Sequence, residues 1–147
     1  MSVTTAQARA LISAAQLQAE AFKKQISVAV VDAGGFIIAV ERQDGARPMT
    51  PMIAISKAYT AAVMQRPGTM LKGWAEHEPV FFSAVSSLGH WPIMATDGAI
   101  TIKRDGEIIG GLGVAGGRAE EDEEIAKQAL AAGGYEFDFA AWGEKKV

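Results

Sequence analysis

Two histidines and a small set of lysine, arginine and carboxylate side chains carry whatever chemistry this chain performs. His90 stands in the loop Gly89-His90-Trp91-Pro92, where an imidazole could ligate a haem iron axially or serve as a general base near neutral pH. The plainer alternative is a loop histidine hydrogen-bonded to backbone. Trp91 beside it would add a flat apolar wall. His77 lies between Glu76 and Glu78, but adjacent helical residues point in different directions, so a solvated helix face is expected there rather than an acid–base cluster. No two histidines stand at a ligand spacing such as HxxxH, and there is no cysteine, so we expect no metal centre built from protein ligands alone.

Lys57 interrupts an otherwise apolar stretch, Met52 to Met64. It could hold a ligand carboxylate or a haem propionate, or act as a base if burial depressed its pKa; the alternative is a stem laid along apolar surface with its ammonium in water. Arg42 could grip a carboxylate bidentately. Asp32 and Asp44 flank the same segment and read as turn residues. Asp122 and Glu123 open an acidic run suited to a helix N-terminus, and one of them, if it faced the neighbouring strand, would be a candidate base.

The run Asp105 to Gly117, DGEIIGGLGVAGG, is the most distinctive stretch. It lacks the lysine and Ser/Thr of a phosphate-binding loop, and its spacing is not that of a dinucleotide fingerprint. Glycines inside a strand mark close approach by something, so Gly111 and Gly113 should admit a helix, a subunit or a flat ligand.

These residues need a frame. Ala6 to Lys24 has apolar residues at helical spacing behind Thr4 and Thr5 as N-cap candidates. Ile26–Val31 and Phe36–Arg42 read as strands joined by the turn Asp32-Ala33-Gly34-Gly35. Thr50-Pro51 starts a helix running to about Gln65. Thr69 to Ser87 predicts two short helices bent at Glu78-Pro79, with Trp74, Phe81 and Phe82 exposing a large apolar surface. Three strands follow, Ile93–Ala95, Ala99–Lys103 and Glu107–Val114, with Asp97-Gly98 and Asp105-Gly106 as turns. Ala119–Ala132 is the last helix, ended by Gly133-Gly134. Phe137, Phe139 and Trp142 make the tail too aromatic for a solvated linker, so packing on the core or on a neighbour is expected. No strand–helix–strand alternation appears, which predicts an α+β domain with a mainly antiparallel sheet.

The 147 residues suit one domain, and 49% apolar with 21% charged is ordinary for a globular protein. A net charge of −3 gives no electrostatic case for nucleic acid or an anionic membrane surface. No apolar run approaches the ~20 residues that span a bilayer, and the first residues do not read as a signal peptide, so a cytoplasmic location is expected.

Four segments together resemble the GlcG/HbpS family, the haem-degrading domain family that includes the C-terminal domain of PduO-type proteins. They are VVDAGGFIIAVERQDGA from Val30 to Ala46, IAISKAYTAA from Ile53 to Ala62, DGEIIGGLGVAGG from Asp105 to Gly117, and DEEIA from Asp122 to Ala126. The resemblance covers nearly the whole chain. It implies a profilin-like α+β fold with a five-stranded antiparallel sheet and homo-oligomeric assembly, and some relatives bind haem or corrinoid-related ligands. One departure stands out: where many relatives have a glycine-rich loop before the glycine-rich strand, this chain has His90-Trp91, an imidazole and an indole at the edge of the expected site.

The expectation is therefore a homo-oligomer that binds haem or a small organic acid, with Arg42, Lys57, Trp74, His90, Trp91, Gly111 and Gly113 lining the site between the second helix, the glycine strand and the His90 loop. The alternative is a cofactor-independent lyase or isomerase acting on a hydroxy or aromatic carboxylic acid. In it, Lys57 or Arg42 would hold the carboxylate and His90 would move the proton. A scaffold without ligand is the third possibility.

Overall fold

The computed structural model describes residues 1–136. The tail aromatics Phe137, Phe139 and Trp142, expected to pack on the core or a neighbour, lie outside the described residues. The elements in chain order are α1 (Thr5–Ala21), β1 (Ser27–Asp32), β2 (Ile37–Arg42), α2 (Thr50–Met64), α3 (Gly68–His77), α4 (Pro79–Ser86), β3 (Ala99–Arg104), β4 (Glu107–Ala115) and α5 (Ala119–Ala132).

Helix α1 begins at a capping box, Thr4 accepting from Gln7 N–H while the Gln7 side chain accepts from Thr4 N–H. It ends three residues before its expected limit because Lys23 takes a left-handed backbone, φ 55°. Helix α2 starts at the expected Thr50-Pro51. Thr50 is its first residue rather than its cap, its hydroxyl donating to Arg47 O and meeting Ser27 Oγ at 2.8 Å. The bend at Glu78-Pro79 divides α3 from α4 as the sequence predicts.

The four strands form one sheet in the order β2-β1-β4-β3, and every neighbouring pair is antiparallel. The fold is thus α+β with an antiparallel sheet, to which the described residues contribute four strands, not five. Ile93–Ala95, expected as a strand, is irregular. The physical reason is that side chains take its backbone donors: Ile93 N–H goes to Ser86 Oγ at 2.9 Å and Met94 N–H to Thr60 Oγ1 at 2.7 Å. A segment tied to two helices in this way does not present a ladder edge.

Alternation along the strands sends two sets of side chains to opposite faces. Val28 and Val30 of β1 with Leu112 and Val114 of β4 join Leu11, Ile12, Ile125 and Leu130, so α1 and α5 cover one face. Ala29, Val31 and Ala115 join Ala54, Ile55, Ala58 and Ala62, so α2 covers the other. Gly111 and Gly113 lie on that second face. A Cβ at Gly111 would overlap the Ala58 carbonyl oxygen and one at Gly113 that of Ala54. Of the partners the glycines left open, the one seated on them is a helix, whose alanines let its backbone meet the strand.

Candidate functional site

That seating removes the space expected between the glycine strand and α2: Gly111 and Gly113 are packing positions under the helix, with no room for a ligand against them. The chemistry-bearing side chains instead divide between a buried polar clamp and an aromatic shelf.

The clamp joins α2, β4 and α5. Lys57 is 5% exposed, and its Nζ donates to Val114 O at 2.7 Å and to Asp122 Oδ2 at 3.1 Å. Asp122 Oδ1 accepts from Gly117 N–H at 2.9 Å, which fixes the turn leading into α5. Next to it Glu123 Oε1 accepts from Gly98 N–H at 2.8 Å, while Oε2 is buried without a hydrogen bond and 3.7 Å from Lys127 Nζ. Burial pushes both carboxyls above their ordinary range. Lys57 and the Gly117 N–H oppose it at Asp122, and the Gly98 N–H and Lys127 oppose it at Glu123. Neither reading of Lys57 made from sequence describes it: its ammonium is neither in water nor facing an open pocket, because the acidic start of α5 captures it.

The shelf lies at the β1–β2 turn. Asp32 accepts from Gly34 N–H and Phe36 N–H through Oδ1, at 2.9 and 3.0 Å, shaping the turn as expected of it. Gly35 takes φ 84°, and its carbonyl meets His90 Nε2 at 3.0 Å. The His90 ring stacks on Phe36, centroids 4.6 Å apart and planes 6° from parallel, and meets the edge of Tyr59 at 4.7 Å and 70°. The carbonyl acceptor assigns the ring proton to Nε2, leaving the lone pair of the neutral imidazole at Nδ1. Among the described residues Nδ1 has no hydrogen-bond partner. A histidine that ligates a metal characteristically donates its other N–H to a carbonyl or carboxylate, the arrangement present here. Phe36 is 61% exposed. Trp91 is partly buried against the cluster that α2 forms with Ala29, Val31 and Ala115 of the sheet.

Lys57 and Arg42 do not join this shelf. Val114, which Lys57 meets, pairs with Val28 near the start of β1, and the exposed Arg42 pairs with Ser27 at its first residue. His90 sits past the other end of that strand, a strand length of about 13 Å or more away at ~3.3 Å per residue. Trp74 belongs to a third group, stacked on Phe81 at 5.3 Å, edge-on to Phe82 at 5.0 Å and bonded through Nε1 to Glu78 Oε2 at 3.1 Å. Arg66 lies over its ring. His77 is exposed in the last turn of α3, as expected. The described residues contain no group of three or more His, Asp or Glu side chains able to hold a metal ion, and no helix among them is long and apolar enough to cross a membrane.

Sequence reasoning did not single out Phe36 and Tyr59 as partners of His90. The exposed aromatic directly after Gly34-Gly35 was the available signal for Phe36. Tyr59 carried none, being one apolar position of α2 among several. The residues that tie down the segment after His90, Thr60 and Ser86, were equally silent as site residues.

A fold with an antiparallel sheet between α2 on one side and α1 with α5 on the other, and a histidine displayed at a hairpin turn, can be compared with known proteins. The family model described as haem degrading protein HbpS-like matches residues 3–131. The chain belongs to this GlcG/HbpS family. It is 33% identical over 108 residues to Protein GlcG of Escherichia coli K12, covering 73% of this chain and 76% of GlcG. It is 28% identical over 132 residues to the corrinoid adenosyltransferase PduO of Citrobacter freundii, covering 90% of this chain but 39% of PduO. The chain therefore spans well under half of that longer relative. Among solved structures it resembles the PduOC:heme complex, with a TM-score of 0.82 at 28% identity, over 92% of this chain and 98% of that one.

Proposed function

We propose that this chain is a binding protein for haem or a similarly flat organic ligand, held at the aromatic shelf with His90 Nδ1 as the contact to the iron. The observation that carries this reading is the His90 ring itself: stacked on Phe36, fixed through Nε2 by the Gly35 carbonyl, and open at Nδ1. Family membership and the haem complex of a structural relative support the ligand class. The residues fit the group on one side only. His90 would supply one ligand and the exposed Phe36 an apolar contact beside it, while the haem itself would supply the redox-active, Lewis-acidic iron. The protein's part is to orient the imidazole and shield one face.

A single copy leaves Phe36 exposed beside His90, which supports a homo-oligomer in which a second copy covers the shelf. The lyase or isomerase alternative has less support, because its carboxylate anchors, Lys57 and Arg42, stand at the far end of the sheet from the imidazole. Haemin titration followed by the Soret band tests the proposal: a saturable shift in the wild type that is kept in His77→Ala and lost in His90→Ala supports it. A shift that survives His90→Ala unchanged contradicts it.

A further inference from the structure

On the opposite face of the sheet from the shelf, α1 and α5 diverge around an open cleft of about 250 Å³. Its walls are apolar and small, with Leu11 and Ala14 from α1 and Ala129 from α5. Among the described residues one charged side chain lines it: Arg104, at the end of β3. The guanidinium is held in place on two sides, its carbon 4.2 Å from the centroid of the Tyr135 ring and its Nη2 donating to Gly133 O at 2.8 Å. The remaining N–H groups of the fork are not used by these contacts. Among the described residues, no carboxylate lies within ion-pair distance of Arg104, and no acidic side chain lines the cleft. Across from it stands Gln7, whose Oε1 is occupied by Thr4 N–H in the capping box, so the end left to interact is its NH2 donor.

A preorganised cation and an amide donor over an apolar floor select one ligand chemistry. We propose that this cleft binds a small monocarboxylate with an apolar body, of the size of hexanoate or benzoate. Arg104 reads the carboxylate, Gln7 donates to it, and Leu11, Ala14 and Ala129 receive the body. A charge-assisted bond from a fixed guanidinium gives the recognition. The apolar floor disfavours phosphate and other fully hydrated anions, which could not use it. The volume admits only a small ligand, below the usual range of about 300–1,000 Å³ for drug-sized sites. This site is independent of the shelf and of what binds there, since its residues belong to the α1 and α5 face.

The test is a titration of the ¹⁵N-labelled full-length chain with sodium hexanoate and sodium benzoate, following backbone amides of α1 and α5. Hexan-1-ol and sodium phosphate serve as controls. Saturable shifts in those amides with Kd about 1 mM or tighter are expected for the carboxylates and not for the controls. Arg104→Gln should weaken hexanoate about tenfold, the scale of one charge-assisted hydrogen bond. Ala14→Met, which fills the cleft and leaves Arg104 in place, should weaken it as much, with circular dichroism confirming that each variant is folded. The proposal is overturned if no saturable shift occurs up to about 20 mM, or if hexan-1-ol or phosphate shifts the same amides equally. Wild-type affinity in both folded variants would overturn it as well.

Discussion

The His90 imidazole lies flat on the Phe36 ring, centroids 4.6 Å apart and planes within 6° of parallel, while the carbonyl of Gly35, the residue before Phe36, holds its Nε2 at 3.0 Å. A hairpin turn thus fixes the orientation of a side chain that arrives from 55 residues away. Phe36→Ala removes the stack and leaves the carbonyl contact. Stacked aromatic pairs contribute about 0.5–1.5 kcal/mol beyond burial, so haemin affinity should fall roughly two- to tenfold. The melting temperature should barely move, because Phe36 is largely exposed. Equal haemin affinity in the variant would show that the stack does not position the imidazole.

Gly113→Ala tests the seating of α2 on the sheet. The added methyl would overlap the Ala54 carbonyl oxygen, and backbone has no rotamer by which to yield. Urea unfolding should show a loss of about 3 kcal/mol or more. Gly73 in α3 is the matched control: nothing lies within 4 Å of a Cβ there and its φ is ordinary, so Gly73→Ala should stabilise by about 0.5–1 kcal/mol. Similar effects at both positions would mean that contact with α2 does not govern Gly113.

Lys57 and Asp122 form a buried pair, their side chains 6% and 5% exposed. Lys57→Met leaves the Asp122 carboxylate buried without its counter-charge and should cost about 3–5 kcal/mol. Adding Asp122→Leu should recover much of that loss, since replacing both partners by apolar groups removes the orphan. A double variant as unstable as the sum of the two single ones would rule out this coupling.

The arrangement of elements was legible because turn and cap residues state it locally: Thr4, Asp32 with Gly35, Pro79, Asp105-Gly106 and Gly133 each mark a boundary found in the fold. The glycines of β4 announced close packing but not its partner, which depends on the alanine face that α2, distant in sequence, presents to them. Lys57 misled for a related reason. A cation in an apolar helix signals a buried partner or a ligand equally, and Asp122, its partner, already had a local explanation at a helix N-terminus. The Ile93–Ala95 segment has strand composition, and only the tertiary hydrogen bonds from Ser86 and Thr60 decide against it. Phe36, Tyr59 and His90 are far apart in sequence, so their meeting could not be read from spacing.

Glu123 makes stability depend on pH in a defined direction. Burial raises its folded pKa above the ordinary 4.5, so in the window between 4.5 and the raised value the folded chain binds more protons than the unfolded one. Stability from this group therefore falls as pH rises through that window and levels off above it. Asp122 is shifted the same way. Urea unfolding of the wild type and Glu123→Gln from pH 4.5 to 8 should show the variant gaining relative to the wild type as pH rises, with the amide oxygen still available to Gly98 N–H. A difference that is flat with pH, or that runs the other way, would contradict the assignment.

The central claim, that His90 Nδ1 is the ligand contact of the shelf, is tested most directly by imidazole rescue. His90→Gly is titrated with haemin in the absence and presence of free imidazole, and the Soret spectrum is compared with the wild type. The variant should lose the wild-type spectrum and imidazole should restore it, since the Phe36 wall and the Gly35 carbonyl remain to receive the ring. A wild-type spectrum in His90→Gly without imidazole would contradict it.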